Sequence, residues 1–165
     1  MFDIDGVLVD ASRRLREAKR MSCGNKERFW KLFLSEELLS LDEPREIGIR
    51  LLLDRLKRGK VVLLTGRPES LRSATISQLE TYGVPMRRVT ALLMRQASDR
   101  RKEWTVKPEL LREYASLHRL SVVEIHDDEP RTLDALHRIY PQARLVLHKG
   151  KKYYEYRPSS LLDFL

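Results

Sequence analysis

The sequence predicts an α/β protein, a three-layer sandwich in which helices cover both faces of a central parallel sheet. Short apolar runs of strand length alternate with longer charged stretches whose apolar residues recur at helical spacing. Several of these runs end directly in polar residues that can carry chemistry, as parallel strands do at one edge of a sheet. Alternation of strand and helix in this order favours parallel strands that are joined by right-handed crossovers.

Five apolar runs are predicted as strands. The run at 60–64 is a continuous series of Val and Leu after a Lys, which is typical of a strand buried on both faces. The first run is abrupt, because only Met1 and Phe2 precede its first Asp. Either this strand is short, or the natural chain start lies upstream of Met1. The five runs are 1–9, 60–64, 89–94, 121–126 and 143–147.

The intervening stretches are predicted as helices. Residues 11–41 form a small charged helical insertion, in which Asn25 and Ser35 can cap successive helices. Pro44 fits the first turn of the next helix, and Gly59 is placed to end it. The later helices are predicted from the turn at 65–68 to Tyr82, from Val106 to His118 after a polar loop over 95–104, and from Asp128 or Glu129 to Tyr140.

Length and composition narrow the class of protein. At 165 residues the chain is expected to form a single domain over 1–165, with a core that needs no disulfide or metal for stability. Cys23 is the only cysteine, and no stretch resembles a signal peptide or a membrane span. We therefore expect a soluble, cytoplasmic protein with no membrane partner. The formal net charge of +8 favours polyanionic partners or substrates.

Two carboxylates, Asp3 and Asp5, follow the first apolar residues. Alternate side chains of a strand point to the same face, so both would project from its carboxyl end just before Gly6 turns the backbone. A calcium loop is excluded, because position 12 counted from Asp3 is Arg14, where a Glu ligand is required. A structural turn and a functional pair remain as alternatives for this segment alone.

Polar residues at the ends of other predicted strands favour the functional alternative. Thr65 follows the strand at 60–64, and Asp127 and Asp128 follow the strand at 121–126. The carboxyl ends of parallel strands meet at one edge, where ligands bind in such sheets. Unrelated turns would not need to converge there, so the sequence predicts a site at this edge.

Four short motifs together resemble those of the haloacid dehalogenase superfamily of phosphatases. Each motif is weak by itself, whereas all four in this order are specific. The resemblance implies the Rossmann-like version of the sandwich, and the insertion at 11–41 is too short for a large cap domain. The motifs are Asp3-Ile4-Asp5-Gly6-Val7, Leu64-Thr65-Gly66-Arg67, Lys107 at the head of a helix, and Asp127-Asp128.

The resemblance implies that the acidic residues divide the chemistry between them. Asp3 would attack phosphorus to form an aspartyl-phosphate, and Asp5 would pass protons to the leaving group and from water. The Asp3 side chain, the Asp5 backbone carbonyl, Asp127 and Asp128 would hold Mg2+ as cofactor, because hard oxygen ligands suit this ion. Taken alone, Asp127 and Asp128 could equally cap the following helix.

The resemblance also implies a set of phosphate-binding groups. The Thr65 hydroxyl and the Gly66 amide would bind the phosphoryl oxygens at a strand-to-helix turn. Lys107 would neutralise the remaining charge, and Lys102 is the alternative for this task. A surface lysine before Pro108 is the alternative interpretation of Lys107, and the spacing to Asp127 favours Lys107 over Lys102.

Over about residues 3–135 the chain is similar to the phosphatase domain of phage-type polynucleotide kinase-phosphatases. This resemblance implies that Arg67, and Arg13 or Arg14, contact the substrate phosphate, to which the planar guanidinium is suited. No Walker A pattern occurs, so the kinase half is absent, and a separate kinase or ligase could be a partner. The matching stretches are Met94-Arg95, Asp99-Arg100-Arg101-Lys102 and Val106-Lys107-Pro108-Glu109.

These observations predict a Mg2+-dependent phosphomonoesterase that acts on the 3′-phosphate ends of DNA or RNA. A phosphatase of nucleotides or other small phosphate esters, and a catalytically idle, basic nucleic-acid-binding subunit, remain as alternatives. The tail at 149–157 interleaves cations with aromatics, a pattern of single-strand binding or of a solvated edge. Trp30 and Trp104 are interpreted as packing residues, and His126 as a hydrogen-bonded core residue.

Overall fold

The computed structural model describes residues 1–158 and has the α/β organisation that the sequence predicts. The helices of this part are α1 (Ser12–Ser22), α2 (Lys26–Phe33), α3 (Glu36–Leu39), α4 (Glu46–Arg58), α5 (Arg72–Thr81), α6 (Glu103–Leu117) and α7 (Pro130–Ile139). The strands are β1 (Val9–Asp10), β2 (Glu43–Pro44), β3 (Val62–Pro68), β4 (Ala91–Arg95), β5 (Glu124–Asp127), β6 (Arg144–Lys149) and β7 (Lys152–Glu155). Within residues 1–158, no helix is both long and apolar enough to pass through a membrane.

Phe2 joins two pairs of parallel strands. β3 pairs in parallel with β4, and β5 pairs in parallel with β6. Phe2 lies between these pairs and forms single parallel bridges to Leu63 in β3 and to His126 in β5. β7 adds to β6 in the antiparallel direction. The first residues of the chain thus lie at the centre of the strand order, between β3 and β5.

Successive residues of β3 enter different apolar clusters. Leu63 belongs to a cluster that includes Phe2 and residues of α4 and α5, whereas Val62 and Leu64 pack with residues of α6 and α7. Because successive side chains of a strand point to opposite faces, helices cover both faces of β3. This double burial explains why the run at 60–64 is apolar without interruption after its Lys.

The predicted strand over 1–9 is wrong beyond Ile4. The three amides of residues 7–9 all donate to the Ile4 carbonyl, at 3.2, 2.8 and 3.0 Å, so the chain closes a tight turn there. Gly6 permits this turn with a φ of +81°, in a region that other residues rarely adopt. The chain then forms β1, which pairs with β2 in the antiparallel direction.

Three other predicted boundaries are wrong. Pro44 lies in β2 because of its pairing with β1, and α4 begins at Glu46. β3 continues through 65–68 with an irregular register, and a short 3-10 helix separates it from α5. α6 begins at Glu103 rather than at Val106, because the first turn is stabilised by an ion pair described below.

The insertion predicted at 11–41 consists of α1, α2 and α3, and both of its predicted caps are confirmed. Asn25 Oδ1 accepts from the backbone N–H of Arg28 at 2.8 Å, and Ser35 Oγ accepts from that of Leu38 at 3.4 Å. These bonds satisfy N–H groups that the first turn of a helix leaves without partners. The tail at 149–157 contains β7, an edge strand whose side chains are exposed.

The start of α4 rests on the turn that follows Ile4. The Arg45 amide donates to the Leu8 carbonyl at 2.9 Å, and Arg45 Nη1 donates to the Val7 carbonyl at 2.9 Å. Gly48 lies so close to this same Val7 oxygen that any added Cβ would overlap it. The close approach of helix and turn therefore requires glycine at position 48.

We expect Gly48→Ala to destabilise the protein by about 1–3 kcal/mol, because the methyl group forces α4 away from the turn. Urea unfolding measures this loss. Gly59→Ala at the end of the same helix is the matched control, since a Cβ there meets nothing within 4 Å. Equal stability of the two variants would contradict the prediction.

Candidate active site

The ends of three extended segments bring three polar residues together at one edge. Asp3 follows Phe2, and its amide donates to the His126 carbonyl at 2.9 Å. Thr65 lies in the last half of β3, and Asp127 ends β5. The three residues are 3%, 1% and 0% exposed. The convergence that the sequence predicts at this edge is therefore present in the fold.

Lys107 lies at the centre of this edge, in the second turn of α6. Its Nζ is 3.0 Å from Asp3 Oδ2, 3.0 Å from Asp127 Oδ2 and 3.1 Å from Glu103 Oε2. Burial disfavours an ammonium ion, but the carboxylates of Asp127, Asp3 and Glu103 outweigh it and raise the pKa of Lys107 well above its usual value. The lysine therefore stays charged and joins α6 to two strand ends.

Glu103 is a residue of this edge that sequence reasoning missed, because a polar loop was predicted there. It is the first residue of α6 and faces Lys107 across one helical turn. A Cβ on Gly66 would overlap the Glu103 carboxylate, so this side chain also lies against the turn after Thr65. The i, i+4 spacing of Glu103 and Lys107 was the available signal. Lys102, the alternative to Lys107, instead places its Nζ over the ring of Trp104.

Asp3, Asp127 and Asp128 form a compact acidic cluster. One carboxylate oxygen from each lies within 4.8 Å of the others. Burial raises the pKa of Asp3 well above its usual value and also raises the pKa of Asp127. Asp128 is exposed to solvent, yet desolvation by its crowded surroundings and the charge of Asp127 raise its pKa to about 7. Such a donor set fits a hard divalent cation, which would offset the repulsion between the carboxylates.

Asp5 lies in surroundings that differ from those of Asp3. Arg67 donates to it from Nε at 3.0 Å and from Nη2 at 2.7 Å, and Arg14 donates to it from Nη2. Burial alone would raise the pKa of Asp5, but the two guanidiniums outweigh it and hold that pKa well below its usual range. The carboxylate is therefore ionised, and 26% of its side chain remains open to solvent.

Asp42 completes a buried charge cluster around Asp5, and no sequence motif points to it. It accepts from Arg14 Nε at 2.9 Å and lies 3.3 Å from Arg67 Nη2. Gln78 donates to the same carboxylate at 3.0 Å and accepts from Arg67 Nη1 at 2.8 Å. Since Asp5 carries one negative charge and the two arginines carry two positive ones, Asp42 supplies the balancing charge.

The structure brings only one member of the pair Arg13 and Arg14 to this cluster. Arg14 is fully buried, whereas 59% of the Arg13 side chain is exposed and its Nη1 lies 3.3 Å from Glu43 Oε1. Successive residues of a helix point about 100° apart, so α1 cannot direct both arginines to the same side. Arg13 lies outside the cluster around Asp5.

A chain of hydrogen bonds through two buried histidines fixes the ring of His126, which packs against Phe2 next to Asp3. Arg45 Nη1 is 3.1 Å from His148 Nδ1, His148 Nε2 is 3.0 Å from His126 Nδ1, and His126 Nε2 is 2.7 Å from Glu124 Oε1. Because a guanidinium only donates and an ionised carboxylate only accepts, both neutral histidines carry the proton on Nε2. His126 is thus the hydrogen-bonded core residue that the sequence predicts, and its ring stacks on Phe2 at 4.0 Å.

An α/β fold with this acidic edge and a buried lysine between its carboxylates is that of a phosphatase of the haloacid dehalogenase type. Residues 1–140 match the model of the family described as the polynucleotide kinase PNKP phosphatase domain. The chain belongs to this family, and the predicted resemblance is confirmed. None of the curated proteins that were compared with the sequence matches it.

Solved structures share the fold at low sequence identity. A chain in the structure of a Pnkp1/Rnl/Hen1 complex is 23% identical with a TM-score of 0.64 over 88% of this chain, which spans only 43% of that chain's length. A putative phosphatase from Clostridium difficile is 12% identical with a TM-score of 0.63, and the match covers 87% of this chain and 81% of that one. A haloacid dehalogenase-like hydrolase from Streptococcus pneumoniae is also 12% identical with a TM-score of 0.63, over 87% and 80% of the two chains.

We expect Asp42→Asn to destabilise the protein by about 3 kcal/mol, because removing one carboxylate leaves a buried guanidinium without its balancing charge. Chemical denaturation at neutral pH measures the effect. Glu43→Gln is the neighbouring control, since it removes only an exposed ion pair with Arg13 and should change stability by no more than about 1 kcal/mol. If Asp42→Asn is as stable as the control, the charge-balancing role is wrong.

We expect the two buried histidines to lower folding stability on acidification, a contribution opposite in sign to that of Asp3 and Asp128, whose pKa values are raised. Burial lowers the pKa of His126 to about 4 and that of His148 to about 3. The unfolded chain takes up protons below about pH 6.5 while the folded protein does not, so stability is present above that pH and is lost as the pH falls toward 4. The loss is about 2 kcal/mol per histidine between about pH 7 and pH 5.

Urea unfolding of the wild type and of His148→Gln at these two pH values tests this expectation. The variant should lose about 2 kcal/mol less than the wild type on acidification, because one of the two protonation sites is gone. His118→Gln is the control, since His118 is exposed. If His148→Gln loses as much unfolding free energy between about pH 7 and pH 5 as the wild type does, the pKa of His148 is not lowered by folding.

Proposed function

We propose that the protein is a Mg2+-dependent phosphomonoesterase that removes 3′-phosphate groups from DNA or RNA ends through an aspartyl-phosphate. One observation carries the proposal: two carboxylates separated by a single residue occupy opposite surroundings. Asp3 lies beside the Lys107 ammonium within the acidic cluster, whereas Asp5 is bound by Arg67 and Arg14. The two carboxylates are therefore placed beside different partners and can take different parts in the reaction.

Asp3 is the proposed nucleophile. One of its carboxylate oxygens attacks phosphorus, the bond from phosphorus to the 3′ oxygen breaks, and an aspartyl-phosphate forms. The amide bond of Asp3 to the His126 carbonyl and the contact with Lys107 fix the orientation of the carboxylate. A fixed orientation lowers the entropic cost of reaching the attack geometry.

Asp5 is the proposed proton carrier. It gives a proton to the departing 3′ oxygen in the first step and takes one from the water that hydrolyses the aspartyl-phosphate in the second. The two guanidiniums favour its ionised form, which is the form required for the second step. The negative charge of a phosphate bound nearby raises the pKa of Asp5 and favours the protonated form required for the first step.

The phosphate group would be held by residues around the turn after Thr65. The Thr65 hydroxyl already accepts from the Arg67 amide at 3.2 Å, so its own proton is free to be donated to a phosphoryl oxygen. The Gly66 amide, Arg67, Arg14 and Lys107 supply the remaining positive or donor groups. Preorganised donors of this kind stabilise charge that develops in the transition state.

The Asp3, Asp127 and Asp128 side chains, with the Asp5 backbone carbonyl, would hold Mg2+. When bound, the ion supplies charge neutralisation for the phosphate and for the crowded carboxylates. Lys107 contacts two of the same carboxylates, so it keeps them in place from the protein side.

Membership of the PNKP phosphatase-domain family and the net charge of +8 support a nucleic acid end as the substrate. The neighbour from the Pnkp1/Rnl/Hen1 complex supports a further proposal, that the chain works beside a separate kinase or ligase. Hydrolysis of small phosphate esters is the second candidate, because part of the Asp5 side chain is open to solvent and would admit them.

Release of phosphate from a 3′-phosphorylated oligonucleotide, from a nucleoside 3′-monophosphate and from p-nitrophenyl phosphate tests these proposals. We expect Mg2+ to be required, the oligonucleotide to have the highest kcat/KM, and Asp3→Asn to lower turnover by several orders of magnitude. Asp54→Asn on α4 is the matched control, because it changes a carboxylate paired with surface arginines. If the mononucleotide has the higher kcat/KM, the small-ester candidate replaces the polynucleotide one.

A further inference from the structure

Helix α2 carries three neighbouring aromatic side chains, Phe29, Trp30 and Phe33, which we call the aromatic face. Ring centroids are 5.0 Å apart for Phe29 and Trp30, 5.6 Å for Phe29 and Phe33, and 5.9 Å for Trp30 and Phe33. α2 contains no buried residue, and Trp30 is 44% exposed. The aromatic face therefore presents open ring surface that the core does not use.

The aromatic face is directly connected to the proposed reaction site. The guanidinium carbon of Arg14 lies 4.4 Å from the centre of the Phe33 ring, and Arg14 Nη1 donates to the Phe33 carbonyl at 3.1 Å. The same guanidinium donates to Asp5 through Nη2. One arginine side chain thus spans from Phe33 to the carboxylate that would protonate the leaving oxygen.

The surroundings of the aromatic face are strongly basic. The segment from Ser12 to Phe33, which contains α1 and α2, has eight Lys or Arg residues and two Glu residues. Its net charge of +6 accounts for most of the formal +8 of the whole chain. Aromatic rings within a positively charged surface are the combination that binds single-stranded nucleic acid.

We propose that the aromatic face stacks against the last nucleobases of a single strand that ends in the 3′-phosphate. The proposal rests on the proposed function, because the leaving 3′ oxygen must lie near Asp5. The terminal nucleoside is attached to this oxygen, so it lies on the side of the phosphate where Asp5, Arg14 and Phe33 follow one another. Lysine and arginine side chains of α1 and α2 would contact the preceding phosphates.

Trp104, the second tryptophan, is less suited to this task. It is half-buried, whereas Trp30 is exposed, and both the Lys102 ammonium, at 5.7 Å from the centre of its ring, and the Arg131 guanidinium carbon, at 4.9 Å, contact it. Its position also gives a useful control. Because the sequence contains two tryptophans, Trp104→Phe leaves Trp30 as the only one.

Fluorescence of the double variant Asp3→Asn, Trp104→Phe tests stacking without turnover. Titration with an oligothymidylate that ends in a 3′-phosphate should quench Trp30, while an oligonucleotide whose last two sites are abasic should bind by anisotropy with little quenching. Binding of both without quenching would overturn the proposal. Quenching without 3′-phosphatase activity of the wild type would contradict the proposed function and leave the stacking surface in place.

Kinetics give an independent readout. In Trp30→Ala, the ratio of kcat/KM for the oligonucleotide to kcat/KM for p-nitrophenyl phosphate should fall roughly tenfold, the value of about one stacked base. Trp30→Phe should retain most of the ratio, and Leu117→Ala should not change it, because this residue is 75% exposed on α6. An unchanged ratio in Trp30→Ala would overturn the proposal.

Discussion

The buried ammonium group of Lys107 lies between acidic groups that would otherwise repel one another. It contacts Asp3, Asp127 and Glu103, which belong to the first segment of the chain, to β5 and to α6. Removal of this single positive charge would leave the buried carboxylates of Asp3 and Asp127 without a partner cation, and each unpaired buried charge costs several kcal/mol. The position of α6 over the sheet, and the closeness of the acidic cluster, both depend on this contact.

The cluster around Asp5 contains two buried positive charges that need negative partners. Arg14 and Arg67 are fully buried, and Asp5 and Asp42 supply the two negative charges that make this burial tolerable. Asp3 lies in the acidic cluster and Asp5 lies beside the two arginines, although only Ile4 separates them in the sequence. Two residues of one extended strand at this spacing would point to the same side, so the separation comes from the tight turn after Ile4, which takes Asp5 out of the extended segment that carries Asp3.

The meeting of Asp3 and Asp127 at one edge could be predicted, because strand ends in a parallel arrangement converge and each of the two follows an apolar run. Lys107, on α6, was predicted from the family resemblance alone. Asp42 could not be predicted, since it lies in a connecting segment and its partners come from α1 and from the last part of β3. The tight turn after Ile4 was missed for a related reason. An apolar run predicts burial, and a buried turn that packs against α4 has the same composition as a strand.

Arg14 faces inward from α1 and lies between Asp5, Asp42 and Phe33, while its neighbours on the same helix face solvent. Arg14 therefore fastens the helical insertion to the cluster around Asp5, and the buried Leu39 of α3 packs in the core beside it. Displacement of the insertion would remove Arg14 from Asp5 and Asp42 and leave these carboxylates with one guanidinium fewer. The exposed residues of α1 have no such contact with this cluster. The outer residues of such a layer can therefore change during evolution without any change in the charge cluster around Asp5.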